Sequence, residues 1–178
     1  MKKLSLIICS IFFVFIVNAQ TKILSYGIGP VASFPVGDFG NAAGVGFGGE
    51  IHVDYPLTKH FEAFGQGGFQ SFIGKSIAGV SNSTVSAPSF IFGTRYYINN
   101  FHVGLGIGYT SFIRKYDEDG VSLSPQVGIR ISNFNLIAHY TLTNASGGNL
   151  PGGSNHYNII GLKLIYKLSN IFENSKMY

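Results

Sequence analysis

The chain is 178 residues long and carries a formal net charge of +4, and only 11% of its residues are charged, against about 25% in ordinary soluble domains. So weak a charge excludes a nucleic-acid partner held by phosphate neutralisation, and a single cysteine excludes a disulfide-stapled secreted scaffold. Beyond the first twenty residues no run of 18 apolar residues occurs, so a helical membrane span is not expected.

The first element is a leader. Lys2 and Lys3 precede an apolar run over residues 4–17, and Val17-Asn18-Ala19 offers a small residue before Gln20. This is the layout of a signal peptide over residues 1–19, cleaved between Ala19 and Gln20. At about 14 residues the run is shorter than the roughly 20 of a spanning anchor. Cys9 follows Ile8 inside the run, where a lipoprotein cysteine would follow a small residue. Cleavage removes this cysteine and lowers the net charge to +2. An exported chain with little charge, 24 glycines and 15% aromatic residues has the composition of a transmembrane β-barrel.

Eight segments with a period of two follow. Residues 24–34 set Tyr26, Ile28, Pro30 and Phe34 against Ser25, Gly27, Gly29 and Ser33. Residues 43–55 set Val45, Phe47, Ile51 and Val53 against Gly46, Gly48, Glu50, His52 and Asp54. Residues 61–72 are less regular, with Phe61 and Phe69 on one face and Glu62, Gln66 and Gln70 on the other. Residues 89–98 and 101–113 place Phe90, Phe92, Tyr96, Val103, Leu105 and Ile107 opposite a face that carries Arg95, Tyr97 and His102. Residues 121–132 and 134–142 oppose Leu123, Val127 and Leu136 to Gln126, Arg130 and His139. Residues 157–168 set Ile160, Leu162 and Leu164 against Gly161, Lys163 and Lys167.

The connections alternate in length. Residues 35–42, 73–88, 114–120 and 143–156 are long, whereas 56–60, 99–100 and 132–133 are short. Long loops on one side and tight turns on the other are the pattern of bacterial outer-membrane barrels, and an even strand number returns both ends to the periplasm. The two-residue turns fix register. Around Ser132-Asn133 the pairs are Ile131/Phe134, Ile129/Leu136, Val127/Ala138, Pro125/Tyr140 and Leu123/Leu142, all apolar, with Arg130 facing Asn135 and Gln126 facing His139. Around Asn99-Asn100 they are Ile98/Phe101, Tyr96/Val103, Phe92/Ile107 and Phe90/Tyr109, with Arg95 facing Gly104. Pro125 cannot donate to a ladder, so a bulge or a missing bond is expected there. Outward Tyr55, Phe61, Tyr96, Phe101, Phe134 and Tyr166 near the turns, and Phe34, Phe47, Phe69, Phe90, Tyr109 and Tyr140 near the loops, form two aromatic girdles.

A resemblance attaches to particular residues. Phe34-Pro35-Val36-Gly37-Asp38-Phe39-Gly40 after a Gly-rich first strand, with a leader ending Asn18-Ala19-Gln20, resembles the small outer-membrane β-barrel proteins of Bacteroidota-type bacteria. Their architecture is similar to that of OmpX and the OmpA barrel. The resemblance covers residues 26–168 and implies an architecture, not a reaction. Such barrels finish on an aromatic residue, whereas here Leu168 precedes residues 169–178, read as a short periplasmic tail.

The chemical candidates favour structure over catalysis. Residues 44–49 match G-x-G-x-x-G, but a strand-like Glu50-Ile51-His52-Val53-Asp54 follows where a dinucleotide site needs a helix. Glu50, His52 and Asp54 share a face, yet three alternate residues span about 13 Å and cannot ligate one metal ion. The turn at 56–60 implies Asp54 opposite Glu62. With Arg95, Gln126, Arg130, His139, Lys163 and Lys167 these inward groups form a mutually compensating polar network that fills the lumen. Of the histidines only His156, near Ser146 and Ser154, lies at the outer rim where a lipid-modifying enzyme would keep its acid–base pair.

The fold expected is all-β: an eight-stranded antiparallel up-and-down transmembrane barrel over residues 20–168. The expected protein is a non-enzymatic, monomeric component of the cell envelope. It needs no cofactor or metal, contacts outer-membrane lipid and lipopolysaccharide, passes through the barrel-assembly machinery, and meets any external partner through its long loops. Two other classes compete: an outer-leaflet lipid A deacylase or acyltransferase, and a soluble lipocalin-like carrier with the opposite facing. Ile129→Arg is expected to cost up to about 2–4 kcal/mol if Ile129 lies near a bilayer midplane.

Overall fold

A computed structural model describes residues 24–77, 80–81, 84–113, 118–147, 150 and 154–168. The expected leader with its Ala19/Gln20 junction and the expected tail at 169–178 lie outside them. In chain order the elements are β1 (Ser25–Val36), α1 (Gly37–Ala42), β2 (Ala43–Pro56), β3 (Phe61–Gly74), a small hairpin of β4 (Ser76–Ile77) and β5 (Val80–Ser81), β6 (Val85–Ile98), β7 (Phe101–Phe112), β8 (Glu118–Ile131), β9 (Phe134–Ala145) and β10 (His156–Lys167). Eight of the strands close in the order β1-β10-β9-β8-β7-β6-β3-β2, every pair antiparallel. Each strand therefore lies beside its sequence neighbour, and β10 zips to β1.

The tight turns set the register read from the sequence. Asn99 and Ser132 take φ of 56° and 52°, the left-handed sense that follows the twist of a two-residue hairpin. Ile98 pairs with Phe101, Arg95 with Gly104, Ile131 with Phe134 and Gln126 with His139. Between β2 and β3 the register differs by two residues from the expected one. Asp54 faces Phe64, not Glu62, and Pro56 faces Glu62. The turn is tied by Thr58: its Oγ1 accepts from the backbone N–H of Phe61 and of His60 at 2.9 and 3.2 Å, while the N–H groups of Leu57 and Thr58 both donate to Phe61 O. Because the shift is even, no side chain changes face.

Three prolines interrupt the hydrogen-bond ladder on one side only. The β8–β9 pairing runs through Leu123/Leu142 and resumes at Gln126/His139, skipping Pro125, while Pro125 keeps its pairing with Leu105 on β7. Pro30 leaves the same gap between β1 and β10, between Ile28/Tyr166 and Val31/Lys163. Pro88 pairs with Phe69 on β3 but has no partner on β7. A missing N–H is absorbed as a local gap without a shift of register.

The long connection at 35–42 is not a loop. Gly37, at φ +61°, turns the chain out of β1 into the short helix α1. The helix packs so closely that a side chain at Gly40 would lie 2.8 Å from Pro35 O. Lys75 fastens it, its Nζ donating to Gly40 O at 2.6 Å and its backbone N–H to Ala42 O at 3.2 Å. α1 inserts Phe39 into the loop end of the barrel, where its ring lies 5.2 Å from that of Phe72, 5.5 Å from Phe112 and 4.9 Å from Tyr157.

The lumen is thus layered. At the loop end Phe39, Phe72, Val85, Phe112, Tyr157 and Ile159 form an apolar stopper. Below it hydroxyls link across strands: Thr110–Ser122 at 2.7 Å, Ser122–Thr143 at 2.8 Å and Ser124–Thr141 at 3.0 Å. The charged side chains occupy the turn end. Outside, the facing reverses: Phe34, Phe47, Ile51, Phe69, Phe92, Leu105 and Ile107 all expose about half or more of their surface.

Candidate functional site

The site with the densest chemistry is the buried ionic cluster at the turn end. β2 contributes Glu50, His52 and Asp54 at alternate positions, so all three point inward, and β3, β6, β8 and β10 bring Glu62, Arg95, Gln126 with Arg130, and Lys163 with Lys167 to meet them. Arg95 is the hub and has no exposed surface. Its Nη1 donates to Asp54 Oδ1 at 2.8 Å and reaches Glu62 Oε1 at 3.4 Å. Its Nη2 donates to His52 Nδ1 at 3.2 Å and to Gln126 Oε1 at 3.5 Å. Its Cζ lies 4.1 Å from the centre of the Phe64 ring.

Around the hub each carboxylate meets a cation. Lys163 donates to both oxygens of Glu50 at 2.9 Å, and Glu50 also accepts from His52 Nε2 at 3.0 Å. With Nδ1 accepting from Arg95 and Nε2 donating to Glu50, His52 is bound as the neutral imidazole with its proton on Nε2. Lys167 lies 3.2 Å from Asp54 and 3.7 Å from Glu62. Arg130 reaches Glu62 at 3.0 Å, and its side chain, 29% exposed, opens toward the turns. Charges taken out of water are held only where such pairing replaces hydration.

Small residues opposite make the room. A side-chain carbon at Gly104 would lie 2.9 Å from Arg95 Cγ, and one at Gly68 only 2.4 Å from Glu50 Cγ. The glycine run at 44–49 lies inside β2, so its spacing reflects the tight lumen and not a phosphate loop.

Nine of the ten expected residues join this cluster. His139 stands one layer higher, its Nδ1 bonded to Thr141 Oγ1 at 3.1 Å, and shares with Glu50, Gln70 and Lys163 a cavity of about 10 Å³, enough for roughly one water. Asp54 and Glu62 are not an unrelieved like-charge pair, since Arg95 sits between them. Three members were not singled out in the sequence. Tyr97 donates to Glu62 Oε1 at 2.9 Å, bonds Arg130 Nη2 and carries the Arg130 guanidinium 4.3 Å from its ring centre. Gln66 Oε1 accepts from Gln126 at 3.1 Å. His102 Nε2 meets Asn135 Oδ1 at 2.9 Å. All lie on the inward face by parity; the distances that join them depend on the closure of the barrel.

The arrangement can neutralise and brace; its charged side chains are buried except for Arg130, which is open toward the turns. Among the described residues no three His, Cys, Asp or Glu groups are placed to hold a metal ion. At the rim Ser154 Oγ accepts from the backbone N–H of His156 at 3.3 Å, and Ser146 Oγ donates to Asp119 O at 3.1 Å.

No protein-family model matches the sequence, and no curated protein does. Solved structures share the fold. The crystal structure of Ail, the attachment invasion locus protein of Yersinia pestis, in complex with the heparin analogue sucrose octasulfate, is similar with a TM-score of 0.51 and 13% identity, over 83% of this chain and 99% of that one. A second crystal structure of Ail gives 0.50 and 15% identity, over 82% and 97%. The chain has the fold of an eight-stranded, all-antiparallel transmembrane β-barrel.

Proposed function

We propose that the protein is an integral barrel of a bacterial outer membrane, non-enzymatic and monomeric, which presents its loop end outside and keeps its turns and both mature termini in the periplasm. The Bacteroidota origin and OmpX-like type suggested by residues 34–40 belong to this reading. The observation that carries it is inversion: the outer wall is apolar while Arg95, Glu50, Asp54 and Lys163 are buried. A soluble carrier needs the reverse. Strands of 12 to 14 residues exceed the roughly 9–11 that cross a bilayer. In this reading the ionic cluster braces the wall from within, and the stopper at the loop end leaves no open channel. The folded chain is expected to partition into detergent and to migrate faster on unheated than on heated denaturing gels. A chain that stays in the aqueous phase without detergent would overturn the reading.

Depth along the strands gives a second expected result. Ile129 is the third residue from the end of β8, so it lies at an interface and not at the midplane. Leu105 is mid-strand in β7, faces outward and is 53% exposed. Leu105→Arg is expected to lower stability by about 2–4 kcal/mol and Ile129→Arg by about 0–1 kcal/mol, measured by urea unfolding in bilayers. Equal costs would argue against a membrane centred on the strands.

A further inference from the structure

A groove of about 570 Å³ lies on the outer wall where β7 to β10 meet the start of α1, within the size range of small-molecule sites. Its two ends differ in chemistry. Asp38, Asn144, His156 and Asn158 line one end, and Ile107, Val121, Leu123 and Leu142 the other. Strand register orients it. The pairing row Asn158–Leu142–Leu123–Ile107 continues through Phe92, Gly65, Val53 and Tyr26 and arrives at Leu168, ten residues further along the chain toward the turn end. The row therefore descends from β10 to β7. The polar end of the groove sits at the loop rim and its apolar end in the belt below.

The polar end has a definite preference. The side chains of Asn144 and Asn158 stand at this end of the groove, the first exposed and the second half-buried, and each carboxamide can donate and accept. At the rim these groups can pair with water or with a polar headgroup. Asp38 adds an acceptor with negative charge, and among the described residues no Lys or Arg lines the groove. Among the described residues a phosphate headgroup would meet the Asp38 carboxylate and no Lys or Arg; an uncharged, hydroxyl-rich headgroup would pair with both carboxamides and Asp38.

We propose that this groove binds a glycolipid of the surrounding membrane, with sugar hydroxyls on Asn144, Asn158 and Asp38 and an acyl chain along Val121, Leu123 and Ile107. The proposal rests on the membrane reading above.

The test uses the full folded chain in bilayer nanodiscs containing digalactosyl diacylglycerol and phosphatidylglycerol in equal amounts, with lipid retention read by native mass spectrometry. The galactolipid is expected to be retained preferentially. Asn144→Leu with Asn158→Leu should cut its retention about tenfold without changing heat-modifiable migration. Asp38→Lys should raise retention of phosphatidylglycerol. Equal retention by wild type and double variant, preference of the wild type for phosphatidylglycerol, or competition by free galactose disaccharide as strong as by the lipid would each overturn the site. Failure of the wild type to enter nanodiscs would overturn the membrane reading and the groove with it, whereas insertion without selectivity overturns the groove alone.

Discussion

Arg95→Leu is expected to destabilise the barrel by about 3–5 kcal/mol, the cost of removing one partner from a buried ion cluster. The guanidinium has no exposed surface and contacts Asp54, Glu62, His52 and Gln126, so leucine would remove the cation shared by two buried carboxylates and leave Asp54 to Lys167, and Glu62 to Arg130 and Lys167. Lysine would restore the charge but not the planar fork that serves several acceptors at once, so Arg95→Lys should recover only part of the loss. Arg130→Leu should cost less, because that side chain is 29% exposed and its loss opens the site to solvent. The measurement is urea unfolding of the refolded protein in bilayers, followed by the heat-modifiable band. An Arg95→Leu protein that unfolds with the wild type would show that the cluster does not brace the wall.

Phe39→Ala is expected to cost about 3–5 kcal/mol, as for aromatic truncation in a packed core. The ring is fully buried among Phe72, Phe112 and Tyr157, although it belongs to a connection between strands. A residue resting on the surface would change stability by under about 0.5 kcal/mol, and a value that small would remove α1 from the core. The loss should be local first, so protease cleavage near α1 should appear at urea concentrations where the heat-modifiable band persists.

Strand number, facing and two hairpin registers were legible in the sequence because a period of two extends over long segments and a two-residue turn leaves no freedom of pairing. Pro125 was legible for the same reason: a missing donor has a fixed address. The β2–β3 register was not, since a longer turn admits several closures and the choice fell to the Thr58 hydroxyl. α1 was hidden because Gly37-Asp38-Phe39-Gly40-Asn41-Ala42 is short and glycine-rich, with no helical period to read. The ionic residues were each visible on the inward face, but Tyr97 and Gln66 enter through contacts between strands up to 60 residues apart in sequence. Their partners are set by closure and shear, not by local pattern.

The gap at Pro30 has a meaning before closure as well. Until β10 arrives, the side of β1 that will meet it is an open edge, a row of free donors and acceptors able to recruit a strand from another chain. Proline removes a donor from the middle of that row, on the side that pairs with β10. The seam therefore carries its own guard against intermolecular pairing while the barrel is still a sheet, and a Pro30→Val chain should aggregate more readily during refolding than after it.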